Sequence, residues 1–151
     1  MKTFASDADV QDIVRRLRTL TPVTDRKWGR MSAHQMICHL SDACRMATGD
    51  KAARSVAKGH HRTVIKWIAL YLPQPWPPGI ETVPEIDQVK SGTCPTDFGR
   101  DLDEAEALLR AIAARRGATW PAHPIFGTMS EAQWLRWAYL HTDHHLRQFG
   151  A

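Results

Sequence analysis

Three of the chain's eight histidines, His141, His144 and His145, fall within five residues near its end. Helical side chains four apart stack on one face with Cβ atoms about 5 to 6 Å apart, so His141 and His145 could both reach one metal ion. His144 points about 100° away from His145. Trp134, Ala138, His141, His145 and Gln148 share a stripe that is apolar at its start and imidazole-rich at its end. That is how a bundle helix looks when its core-facing side becomes a site. A histidine pair at this spacing also arises by chance and is more often structural or solvated than metal-bound, so the rest of the chain decides its weight. His39, close in helical angle to Met36 and Ala43, faces the same core and is a candidate third ligand. Asp42, three residues on, can bind water or orient an imidazole, or be a solvated carboxylate. His34 lies on another face and stays outside the set.

Five helices are predicted to position these residues, near 7–20, 33–48, 62–72, 97–116 and 130–149. Val10, Ile13, Val14, Leu17 and Leu20 recur at helical spacing after Ser6 or Asp7, and Thr21-Pro22 ends the run. Ser32 with Gln35, and Ser130 with Gln133, form capping boxes that open the second and the last helix. Gly49 stops the second. A short third helix, carrying Trp67 and Tyr71, ends at Pro73. The stretch Pro73-Gln-Pro-Trp-Pro-Pro-Gly79 then starts an irregular connection to Pro95, long enough to be a lid, an interface or a crossover. Trp76 could cover an apolar surface of the bundle or of a second subunit. In the fourth helix Phe98, Leu102, Ala105, Leu108, Leu109 and Ile112 face inward, and its acids cluster at the positive end of the dipole. No strand pattern survives, so an all-α fold is expected, in one domain over 1–151.

Composition narrows the function classes. A chain of 151 residues can bury a full core without staples. No apolar run approaches the ~20 residues that span a bilayer and no apolar signal segment opens the chain, which predicts a soluble cytoplasmic protein with no membrane partner. Three cysteines make an odd count, against a disulfide framework. Cys38, a small buried hydrophobe by type, is a poor nucleophile candidate beside a diverging His39. The net charge of +4 raises the question of nucleic acid. Arg15, Arg16 and Arg18 nevertheless look like a solvated helix face, Arg115 and Arg116 like cations at a helix end, and no stretch interleaves basic and aromatic residues. Only nonspecific binding to nucleic acid is compatible with this pattern.

His39 in the context Met-Ile-Cys-His-Leu-Ser-Asp, followed about a hundred residues later by His141-x3-His145-x2-Gln148, resembles the DinB-like superfamily of four-helix-bundle metalloenzymes. A bacterial branch of that superfamily with no assigned function is similar over nearly the whole chain, from Met31-Ser-Ala-His-Gln-Met and from His123-Pro-Ile-Phe-Gly through His-His-Leu-Arg-Gln-Phe-Gly150. The likeness is weakest across residues 50–95. It implies a four-helix bundle with a short extra helix and a long Pro-rich crossover. It also implies a divalent metal held by His39, His141 and His145. Some relatives transfer low-molecular-weight thiols to electrophiles, and others isomerise or hydrolyse small molecules.

Three neutral imidazoles would leave a divalent ion its full charge and an open position, unlike a closed four-thiolate structural site. Zinc is the first choice, with nickel, iron and copper compatible with the same ligands. The expected protein is therefore a metal-dependent enzyme on small molecules, with a thiol or water as nucleophile. Asp42 and Gln148 would orient groups around the site, and Trp134, Trp137 and Met36 would wall it. A non-catalytic interaction protein with a vestigial cluster and a basic nucleic-acid-binding module are the alternatives. A homodimer through Trp76 and the Pro-rich connection is plausible.

Overall fold

A computed structural model describes residues 1–80 and 82–151. Among them there are five α-helices and no strand: α1 (Asp7–Leu17), α2 (Ala33–Thr48), α3 (Val64–Tyr71), α4 (Phe98–Ala114) and α5 (Glu131–Gln148). Two 3-10 turns, Gly59–His61 and Pro84–Ile86, punctuate the long connections. An isolated antiparallel bridge pairs His123 with Gly127.

Local chemistry sets the helix ends. The Ser32 hydroxyl accepts from Gln35 N–H at 3.1 Å while the Gln35 side chain accepts from Ser32 N–H at 2.9 Å, and Ser130 and Gln133 repeat the arrangement. Each box satisfies two donors that a helix start leaves orphaned. Asp97 caps α4 by accepting from Arg100 N–H at 2.8 Å. Gly49, at φ 90°, adopts the left-handed conformation that ends α2 cheaply only for glycine. Helix α1 stops three residues before the predicted end. Thr19 and Leu20 instead donate to Arg16 and Leu17, tight three-residue turns that still bury Leu20 before Pro22 breaks the chain.

α2 is the central element: twelve of its sixteen residues are buried, and it packs on α4 and α5. α1 covers the opposite faces of α4 and α5. The core runs through Ile13, Leu17, Met36, Ile37, Leu109 and Trp134, each at most 1 % exposed. Trp134 stacks on Trp120 at 5.6 Å between ring centroids and meets Trp137 edge-on at 5.3 Å. α3 sits apart from this core. It rests on α5 with Leu70 as its one buried residue and leaves Val64, Ile65, Trp67, Ile68 and Tyr71 exposed. No described helix is long and apolar enough to cross a membrane.

The connection after α3 folds back over the bundle. The Trp76 indole Nε1–H donates to Ala69 O at 2.7 Å and the ring packs against the core, so it covers the bundle's own apolar surface. Further along, Asp42, fully buried in α2, accepts from Gln88 Nε2 at 2.8 Å, Thr93 N–H at 2.8 Å and Thr93 Oγ1 at 2.7 Å. Lys51 lies 2.7 Å away. One buried carboxylate thus ties the crossover down onto α2.

Candidate metal centre

His39 of α2 and His141 and His145 of α5 converge: their nearest ring nitrogens all lie within 4.8 Å of one another. His39 Nε2 and His141 Nε2 are 3.1 Å apart. The ring centroids of His39 stand 5.0 Å from His141 and 4.6 Å from His145. His39 is 1 % exposed, whereas His141 and His145 keep part of their surface on a cavity wall.

On His39 and His145 the outer nitrogen has a partner that decides where its proton sits. His39 Nδ1 lies 2.6 Å from the carbonyl oxygen of Ile86, which can only accept. Nδ1 therefore carries the proton and Nε2 offers its lone pair. His145 Nδ1 is 3.0 Å from Gln148 Oε1, and the Gln148 amide is oriented because its Nε2 donates to Trp28 O at 2.8 Å. His145 thus offers Nε2 as well. Gly29 makes this brace possible: at φ +81° it turns next to Gln148, where any Cβ would collide with the amide nitrogen. His141 Nε2–H donates to the lone pair of His39, and in its other tautomer it would present a third lone pair to the same point.

Burial pushes His39 below its ordinary pKa of 6.5, the neighbouring Ile86 carbonyl opposing. Burial first, and then the neighbouring imidazoles, push His141 and His145 well below 6.5. All three are neutral at pH 7, the state that metal ligation requires. Two nitrogens on a tetrahedral zinc at about 2.0 to 2.1 Å would stand roughly 3.3 Å apart, close to the His39–His141 separation. A nitrogen-only, neutral donor set with outer protons anchored on a carbonyl and an amide fits a divalent ion of the zinc type.

The trio opens on a cavity of about 400 Å³. Trp137 stacks on His141 at 4.8 Å, and Trp76 stands 6.3 Å from the same ring. Trp137 walls the cavity as expected, whereas Met36 and Trp134 are wholly buried in the core behind it. His144, one helical step off the stripe, still lines the cavity, held between Trp28 and Trp76 at about 6 Å from each. Asp42 is neither solvated nor in contact with a ring of the trio. Its hydrogen bonds hold the segment that delivers Ile86 O to His39, so it acts through the crossover.

Sequence reasoning did not anticipate His123 or the Ile86 carbonyl. His123 Nδ1 accepts from Ile125 N–H at 3.1 Å and Phe126 N–H at 3.2 Å, closing a tight loop, and its ring meets Trp137 edge-on at 5.0 Å. The stretch Trp120 to Gly127 reads in sequence as an extended connector, and nothing in it placed a tight loop on the site.

A second grouping, His34, Cys38 and Asp101, is a hydrogen-bonded cluster. The Asp101 carboxylate accepts from His34 at 2.8 Å, from Thr96 N–H at 2.9 Å and from Cys38 Sγ at 3.7 Å. Burial and Asp101 push the Cys38 thiol up to about 12, so it stays protonated. The basic residues of α1 are paired: Arg15 with Asp12, Arg16 with Asp143, and Arg18 with Asp103 and Glu106.

No curated protein and no solved structure gives a significant match to this chain. One family model does match, over residues 4–151, and the chain therefore belongs to the family described as protein of unknown function DUF1569.

Proposed function

We propose that this protein is a metal-dependent enzyme acting on small molecules, built on a DinB-like four-helix bundle. His39, His141 and His145 hold a divalent ion, zinc in the first place and nickel or iron as alternatives. The observation that carries this reading is the convergence of three neutral imidazoles whose outer protons on His39 and His145 are already committed elsewhere. A group of that kind supplies Lewis acidity, which brings a bound water or thiol toward its deprotonated form near neutral pH.

The chain's own residues do the remainder. Ile86 O and Gln148 Oε1 fix two rings so that no reorientation accompanies ligand binding. Trp137 and Trp76 keep bulk water off His141, which strengthens any electrostatic interaction on that face. A nucleophile and an electrophile held together in the adjoining cavity would react as if one molecule. The nucleophile is a low-molecular-weight thiol or water, and the reaction a transfer to an electrophile or a hydrolysis.

Elemental analysis of protein purified without chelators tests the centre. Wild type should carry about one equivalent of metal, and His39→Ala and His145→Ala should carry none. Metal-loaded protein should then turn over one of a panel of thiol–electrophile pairs or hydrolysable esters and amides. Metal absent from wild type after reloading, or turnover unchanged in His141→Ala, refutes the proposal.

A further inference from the structure

The cavity beside the trio differs from an ordinary polar active-site cleft. Among the described residues that line it, none carries a fixed charge. Beyond α2 and α5, its walls include Ile68 and Leu72 of the α3 region, Trp76 of the Pro-rich connection, Ile86 of the crossover and Phe126 of the His123 loop. Chains that meet at a loop-rich cavity usually expose backbone and side-chain polar atoms to it. Here many of the wall's polar atoms are used within the protein. Trp76 Nε1–H is bonded to Ala69 O, His123 Nδ1 takes two backbone N–H groups, Ile86 O takes His39, and Pro124 O takes Val56 N–H. Beside the inner edge of the histidine trio, the polar side chains on the lining are His123, His144, Gln74 and Thr82, against a majority of apolar ones.

A site so arranged discriminates. A charged group on the body, away from the trio, would lose its hydration and find no counter-ion among the described lining residues, a heavy cost. An apolar body gains from leaving water and displaces nothing that the walls need. The volume of about 400 Å³ falls within the range of small-molecule sites, about 300 to 1,000 Å³. The mouth lies beside α3, where Ile65, Ile68 and Ile80 are at once cavity-lining and 41 to 54 % exposed. An apolar molecule therefore meets apolar side chains before it reaches the trio.

We infer that the substrate of this site is an uncharged, predominantly apolar small molecule with a single polar head, the head seated at His39, His141 and His145 and the body in the cavity. The location of the head rests on the reading of the trio as the metal centre; the character of the body does not. A co-substrate thiol of the charged peptide type is disfavoured for the interior by the same argument, and a small uncharged thiol is preferred.

Alkyl hydroxamates, whose head chelates metal ions, test both parts on the zinc-loaded protein by calorimetry. Affinity should rise from acetohydroxamate to octanohydroxamate at least a hundredfold, a conservative expectation against about fourfold per fully buried methylene. The eight-carbon hydroxamate that ends in a carboxylate should bind at least thirtyfold more weakly than octanohydroxamate. Ile68→Lys, at a partly exposed lip position, should reverse that preference between the two eight-carbon ligands. A flat chain-length series, or equal binding of the charged and uncharged eight-carbon ligands to wild type, overturns the inference.

The metal-free protein separates this inference from the metal reading. With 1-butanol, 1-hexanol, 1-octanol and octanoate as probes, the alkanols should bind with the same upward trend and octanoate should bind less well than 1-octanol. If that trend holds while acetohydroxamate binding survives in His141→Ala, the metal centre is wrong and the apolar site stands. If acetohydroxamate binding needs His141 but neither series depends on chain length, the metal centre stands and the apolar substrate is wrong.

Discussion

At His123 a single imidazole is committed by its surroundings to one charge state. Two backbone N–H groups occupy Nδ1, aromatic rings enclose the rest, and burial pushes the pKa down to about 3 from an ordinary 6.5. Between those two values the unfolded chain binds a proton that the folded chain refuses. The contribution is therefore fully present above pH 6.5 and is lost as pH falls toward 3, at up to about 1.4 kcal/mol per pH unit. Asparagine can accept the same backbone donors through Oδ1 and does not titrate. Urea unfolding of the metal-free protein should show wild type losing about 2 kcal/mol more than His123→Asn between pH 8 and pH 5. Equal losses in the two proteins would mean that His123 is accessible to protons in the native state. The sequence carried the residue's type and, around it, an extended connector; burial by Trp134, Trp137 and Phe126 is a property of the assembled core that no local spacing encodes.

The elements were largely legible, because four of the five helices advertise themselves twice, through an apolar period and through a side-chain cap. The two Ser-x-x-Gln boxes sit where the sequence puts them, and the helices differ from expectation by a few residues at their ends. His39, His141 and His145 come together because α2 and α5 both turn their stripes inward, and periodicity reports that much. The crossover was readable only as an interruption. Its job, delivering a backbone carbonyl to His39, has no side-chain signature, and its anchor lies about fifty residues earlier, at Asp42. Burial alone would raise the pKa of that carboxylate, and Lys51 and Thr93 outweigh it and hold the group below its ordinary value. Removing one member of such a buried set leaves the others unpaired, so Asp42→Ala should cost about 3 kcal/mol. It should also lower metal affinity about ten- to a hundredfold by loosening the Ile86 carbonyl. Denaturation and metal titration measured on the same samples check both effects. A stability loss with unchanged metal affinity would show that Asp42 serves the fold alone.

Across the whole molecule, the site and the core are the same construction seen from two sides. α2 supplies His39 from its most buried stretch and α5 supplies the pair, while Trp137 and Trp134, one and two turns earlier on α5, hold that helix against the core. The trio is thus assembled by apolar packing and by its outer hydrogen bonds. That ordering predicts a chain which folds before it binds metal, unlike a small structural zinc domain whose ligands meet only around the ion. The far-UV spectrum should be equally helical with and without metal. Binding to the folded state alone still adds stability by mass action, about 2.7 kcal/mol at a free metal concentration a hundred times the dissociation constant. For a chain of this size that corresponds to a rise in Tm of about 5 to 10 °C. The rise should be absent in His39→Ala, whose own melting should not depend on zinc. A protein that is unfolded without metal would make the centre a structural staple, and a wild-type Tm indifferent to every divalent ion would remove it.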